Sequence, residues 1–322
     1  MKNNILDILY TSSEYISGEA ISKKLGFSRT AIWKHINLLK EEGYAIYSIN
    51  NKGYKLIKEN LPLNEYEVKR HYNGKIKLNY IKETDSTNTY AKKTAKSNTD
   101  EIEMVFTSIQ KKGRGRLKRE FISNNNEGIW ASYIFKPNME PQKATIFTLA
   151  TSIAVCKLLV EKCGIKAQIK WPNDIIVNNR KICGILTEMS CEMDNINYII
   201  TGIGINVLQK EFDKTLNNIA TSIYQVTKQK YDRGLLIAYL CYNIDDIYKE
   251  ITNNNIDVII KKWNEFSLTN GKEIKIQKGN ESLYGKAIGI DKIGRLIVEL
   301  TDGKREVFNS GEISIRGIMG YA

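Results

Sequence analysis

Apolar positions along the first sixty residues recur with helical spacing and then switch to alternation. Ile5, Leu6, Ile8 and Leu9 predict one helical face, and Ala20, Ile21 and Leu25 a second, stopped at Gly26, where a left-handed residue is cheapest. Ser28 is placed to cap a third helix, whose Ile32, Ile36 and Leu39 fall at i, i+4 and i+7 before Gly43. YAIYSI and GYKLI around Asn50-Asn51-Lys52-Gly53 then read as a hairpin. Together these elements predict a winged helix-turn-helix over residues 1–62.

The segment ENLPLNEYEVKRHYNGK reads as a linker with one short helix at Tyr66, Val68 and Tyr72. Beyond it the pattern is mixed. KLNYI, MVFTSI and IWASYIF are strand-like, Ser86 to Lys96 is helical, and Pro141 to Gly164 is a long, largely buried helix. QIKW, DIIV, KICGILTEM and YIITGIGI follow as strands whose short turns leave no room for helical crossovers, and a further helix is expected from roughly Arg233 to Trp263. From Gly271, the short alternating strands IKI, KAIGI, RLIVEL and REVF predict a small β unit. The fold class is therefore α+β: a winged helix-turn-helix head, a central mixed or antiparallel-sheet unit over 63–270, and a small SH3-like β barrel over 271–322.

Composition narrows the function classes. The 322 residues carry 48 Lys and Arg against 36 Asp and Glu, a net charge of +12 that suits an anionic partner such as nucleic acid or nucleotide. Five cysteines (Cys156, Cys163, Cys183, Cys191, Cys241), an odd number without C-x-x-C spacing, point to reduced thiols and a cytoplasmic setting; with only His35 and His71 to join them, no zinc site is expected. Asp7 and Glu14 interrupt the first apolar segment, so neither a signal peptide nor a membrane span is expected there, and no other stretch reads as one.

On the third helix Arg29, Thr30, Trp33, Lys34 and Asn37 lie off the apolar stripe, with Ser28 at its start and Lys52 in the wing, giving donors for phosphates and base edges in a major groove. An indole on that outer face needs a contact, whether the DNA backbone, the wing or a partner protein.

The basic stretch QKKGRGRLKR at 110–119 matches neither G-x-G-x-x-G nor G-x-x-x-x-G-K-[ST], and by itself is weak evidence. It stands among DSTN at 85–88, KWPND at 170–174, RKICG at 180–184 and GIGIN at 202–206. These five pieces in this order, between a winged helix and a terminal GEISIR at 311–316, resemble the bifunctional biotin-protein ligase and biotin operon repressor family over essentially the whole chain.

That resemblance implies an enzyme that joins biotin to ATP, with magnesium on the phosphates, forms biotinyl-5'-AMP, and passes biotin to a lysine of a biotin carboxyl carrier domain. It assigns Ser86, Thr87 and Gln110 to the biotin ureido ring, Arg114 to the loop beside biotin, and Arg116 and Arg119 to the adenylate phosphate. Lys181 bridges the biotin carboxylate and phosphate as the first choice for catalysis, and Asp174 either orients it or takes a proton from the acceptor lysine. Gly184, Gly204 and Ile205 flank the bicyclic ring; Asn173 and Asn206 lie on the nucleotide side; Asn88 and Lys170 complete the binding set. Bringing a carboxylate against an α-phosphate is anion on anion, so the cations lower its cost, while Gly113 and Gly115 allow close backbone approach. Phe121 replaces the tryptophan many relatives place over the adenine, and SNNNEG lacks a common proline, which predicts a looser loop. The resemblance further implies a homodimer on a two-fold operator when adenylate is bound. Two rivals are a lipoate-protein ligase and a ligand-sensing transcription factor without turnover.

Overall fold

The computed structural model describes residues 1–95, 102–192, 195–279, 281–310 and 314–317; Lys96 and the GEI of GEISIR lie outside them. The head comprises α1 (Lys2–Thr11), α2 (Gly18–Leu25), α3 (Arg29–Glu41) and the hairpin β1 (Ile46–Ile49) and β2 (Gly53–Leu56). Each predicted signal has its structural counterpart. Gly26 ends α2 at φ 71°, and the Ser28 hydroxyl accepts the Ala31 amide at 3.2 Å. Ile5, Leu9, Ile21, Ile32, Ile36 and Leu39 close a separate core.

A short helix, α4 (Glu65–Lys69), leads into a seven-stranded sheet. In chain order its strands are β3 (Lys77–Thr84), β4 (Glu103–Gln110), β5 (Gly128–Phe135), β6 (Gln168–Lys170), β7 (Asp174–Val177), β8 (Arg180–Glu192) and β9 (Asn195–Asn206). The spatial order is β3-β4-β5-β9-β8-β7-β6. Of the ladders in this sheet only β3–β4 is parallel, its crossover being made through α5 (Thr87–Thr94).

The other face carries α6 (Thr145–Cys163), α8 (Arg233–Thr252) and α9 (Ile256–Phe266); a short α7 (Ile223–Thr227) precedes α8. The single helix expected from Arg233 to Trp263 is thus two, broken at Asn253-Asn254-Asn255 with Asn254 at φ 57°. Residues Pro141–Cys163 are long and apolar enough to cross a membrane, contrary to expectation, but 72% of that window is buried, as befits the central core helix.

The terminal unit is an antiparallel sheet of β10 (Glu273–Lys278), β11 (Glu281–Ile290), β12 (Leu296–Leu300), β13 (Arg305–Phe308) and β14 (Ser314–Gly317), ordered β13-β12-β11-β10-β14. Among the described residues it is an open sheet rather than a closed barrel. Ile274, Ile276, Leu296 and Val298 continue the central core. Trp171, 1% exposed, fastens the junction: its amide bonds Thr269 at 2.9 Å and its indole the Gly294 carbonyl at 3.1 Å.

Candidate active site and DNA-facing surface

GIGIN shows how the sequence opens a cavity. Side chains alternate along β9, so Ile203 and Ile205 enter the helix-covered core while Gly202, Gly204 and Asn206 face the opposite side. Two of those three positions lack a side chain, which leaves a hollow of about 1100 Å³. Of the sequence-predicted ligand residues, Ser86, Thr87, Asn88, Gln110, Arg114, Gly115, Arg116, Arg119, Phe121, Lys170, Asn173, Asp174, Lys181, Gly184, Gly204 and Asn206 line it. Ile205 is not part of the lining: its side chain is fully buried in the core. Gly113 packs behind the wall, where a methyl group would come within 2.2 Å of the Phe121 carbonyl.

One end is a buried polar chain. The Gln110 side-chain oxygen accepts the Thr87 amide at 2.9 Å, and its nitrogen donates to Ser123 at 2.8 Å. The Ser132 hydroxyl lies 2.7 Å from that of Thr87 and 2.6 Å from Asn88 Oδ1. Ser86 stands at the N-cap of α5 yet makes no side-chain capping bond, so its hydroxyl faces the cavity unspent on the helix.

The middle is cationic. Lys181 Nζ lies 2.6 Å from Asp174 Oδ1, an ion pair whose alignment is not that of a hydrogen bond. Gly184 makes room for it: a methyl there would meet Lys181 Nζ at 3.0 Å. Arg116 donates to Asn173 Oδ1 at 3.2 Å and to the Ser310 carbonyl, joining the basic loop to the terminal sheet. Burial pulls its guanidinium below the ordinary arginine range, opposed by nearby Asp174, though arginine stays charged. Phe121 lies against the bare backbone of Gly204, where a methyl would reach its ring at 2.5 Å, and edge-on to Trp130 at 5.9 Å.

Sequence reasoning overlooked several groups. Glu188 on β8 accepts from Lys92 at 2.7 Å, Asn88 at 2.8 Å and Arg114 at 3.2 Å, so it ties the basic loop to α5. Its neighbours hold its carboxyl below the ordinary range despite a desolvation cost that pushes upward. The chain after GIGIN supplies Gln209, Phe212, Leu216, Ile219 and Ala220 as a further wall, tied to Lys181 through its amide on the Ile219 carbonyl at 2.8 Å. No short motif marks that wall; its only signal was adjacency to GIGIN. SNNNEG, expected to be loose, is held by Trp130 on the Asn125 carbonyl at 3.0 Å and by buried Arg233 on Asn126 at 2.8 and 2.9 Å.

In the head, Arg29, Thr30, Trp33 and Lys34 are exposed on α3, Asn37 is half-buried beside them, and Lys52 is exposed in the wing turn. Trp33 is 58% exposed and Tyr47 on the wing 60%. The Ser28 hydroxyl is engaged as the helix cap.

Comparison with known proteins gives three family matches along the chain. Residues 2–55 match an HTH domain, 80–206 the Biotin/lipoate A/B protein ligase family, and 269–316 the Biotin protein ligase C terminal domain. A Bacillus subtilis protein named bifunctional ligase/repressor BirA is 37% identical over 92% of this chain and 93% of its own length. The Escherichia coli protein of that name is 27% identical over 98% of this chain and 99% of its own. Among solved structures, the biotin protein ligase of Aquifex aeolicus in complex with biotin and ATP superposes with a TM-score of 0.64 at 27% identity, covering 75% of this chain and 99% of that one.

Proposed function

The chain belongs to the bifunctional ligase/repressor family, and from that membership we infer an ATP-dependent biotin-protein ligase that doubles as a biotin-responsive repressor. It forms biotinyl-5'-AMP, transfers biotin to a lysine of a carrier protein, and uses the adenylate as corepressor. The observation that carries this reading is convergence: cations from the 110–119 loop, β6 and β8 line one cavity with a polar pocket at one end.

In the first step the biotin carboxylate attacks the α-phosphorus of ATP and the bond to pyrophosphate breaks. Two anions must meet. Lys181, Arg116 and Arg119 offset that repulsion, and because Lys181 is paired to Asp174 and Arg116 is bonded to Asn173, these two are already positioned before the reaction. The Thr87–Gln110–Ser123 chain presents donors and acceptors to the ureido group, and Asn173 and Asn206 stand toward the nucleotide. Magnesium belongs with the ATP phosphates as part of the substrate. In the second step the acceptor lysine amine attacks the acyl carbon, AMP leaves, and the same cations stabilise the departing phosphate. Asp174 acts as the group that orients Lys181, since the two are already paired.

The finer regulatory reading is a cytoplasmic homodimer that carries two heads onto a two-fold operator when adenylate fills the cavity. The units proposed for these tasks are residues 1–62, 63–270 and 271–322. Exchange of labelled pyrophosphate into ATP tests the enzyme: it should require biotin and ignore lipoate. Exchange driven by lipoate, or none with either acid, refutes the assignment.

A further inference from the structure

Helix α4 is only five residues long, yet it belongs to both cores. Tyr66 packs on the head cluster, whereas Val68 is wholly buried in the ligase cluster. Between them, on the same turn, Glu67 is 0% exposed. A carboxylate in that position is costly unless every oxygen finds donors.

Its donors come from the head and from α4 itself. From the head, the Tyr10 hydroxyl lies 2.8 Å from both Glu67 oxygens and the Tyr44 hydroxyl donates to Oε1 at 2.8 Å. From α4's own end, Arg70 donates to Oε2 at 2.9 Å while its guanidinium stacks 3.4 Å from the centre of the Tyr10 ring. Asn64 caps α4 on the Glu67 amide at 3.0 Å and donates to the Tyr44 hydroxyl at 3.1 Å.

The ligase side is equally fixed. Glu65 accepts the Tyr80 amide of β3 at 3.3 Å. Gly234 at the start of α8 lies so close that a methyl on it would meet the Glu67 carbonyl at 2.9 Å. The head is therefore attached through a buried charge with directional bonds, which define an angle, as well as through apolar contact, which tolerates sliding.

We propose that Glu67 is a positioning residue for repression: it sets the angle at which each winged helix is carried on the ligase, and so the match between a pair of heads and two operator half-sites. The proposal rests on the repressor reading above. Two linked modules bind far more tightly than one only while geometry lets both engage, so a loosened head forfeits that gain without losing its own DNA surface.

The test uses the full chain with biotin and ATP. A duplex selected by the wild-type protein from a random library serves as operator, and one half of it as half-site. Glu67→Gln keeps the size but replaces one acceptor with a donor facing tyrosine or arginine. It should lower affinity for the whole duplex by ~10-fold or more, leaving half-site affinity and biotin-dependent pyrophosphate exchange unchanged. Tyr44→Phe, a milder change, should shift the same ratio in the same direction by less. Equal loss on both duplexes in these variants would make Glu67 a mere stabiliser of the head and overturn the proposal, as would unchanged affinity on both. A wild-type protein that selects no two-fold sequence would instead refute the repressor reading itself.

Discussion

Replacing Gly202 by alanine places a methyl on the cavity face of β9, 2.2 Å from Asn88 Oδ1 and 2.9 Å from its Cγ. Asn88 has little freedom to retreat. It is 4% exposed, its nitrogen donates to the Leu186 carbonyl at 3.2 Å and to Glu188 at 2.8 Å, and its oxygen lies 2.6 Å from the Ser132 hydroxyl. Making room breaks at least one of these bonds, about 1–3 kcal/mol when a buried group is left unpaired, and overpacking adds about 1–3 kcal/mol. Partial relaxation makes a total of roughly 2–4 kcal/mol the reasonable expectation.

Two readouts follow. Thermal unfolding of the ligase unit should move down by about 5 °C or more, and KM for biotin should rise because Thr87 and Gln110 share the disturbed chain. Gly204→Ala is the internal control, since its methyl would meet the Phe121 ring, a half-buried side chain with no hydrogen bond to break. It should cost less stability. A Gly202→Ala protein that melts with the wild type and binds biotin normally, or a Gly204→Ala protein that is the less stable of the two, would refute this reasoning.

Other outcomes are expected. Lys181→Met should lower biotin-dependent exchange by about 10²–10³-fold while the protein still unfolds cooperatively; full activity would remove Lys181 from its role. Glu188, whose folded carboxyl titrates below its ordinary range, contributes stability above that range and loses it as pH falls through the lowered value. Wild-type stability should therefore fall more steeply than that of Glu188→Gln as pH drops through the carboxylate range, the gap between the two closing at the acid end; an unchanged pH slope contradicts the pairing. Trp33→Ala should weaken operator binding in gel shifts without touching ligase kinetics, and equal binding would leave that exposed indole without a DNA role.

Much of this architecture was legible because its signals are local. The capping Ser28, the glycine after α2 and the Asn-Asn-Lys-Gly turn each act within a few residues. The break in the Arg233–Trp263 stretch was hidden because apolar periodicity runs through Asn253-Asn254-Asn255, and only a left-handed asparagine reveals the turn. Site residues with short neighbours in sequence were found; those acting across the sheet were not. Glu188 sits in an ordinary strand, and its meaning comes from Lys92, Asn88 and Arg114, which are remote in the chain. Likewise the firmness of SNNNEG comes from Arg233, more than a hundred residues away. Glu67 read as one more charge in a polar linker, because burial of a carboxylate is invisible until the tyrosines that enclose it are folded around it.

The central claim is that the converging cations make one cavity in which biotin and ATP react. A single-turnover mixture of the protein with biotin and α-labelled ATP, without acceptor, tests it most directly. The account predicts that labelled biotinyl-5'-AMP accumulates to about one equivalent per site and is discharged to AMP when a biotin carrier domain is added, with Lys181→Met severely slowed in the first phase. Label that stays in ATP, or equal adenylate formation in the lysine variant, would contradict it.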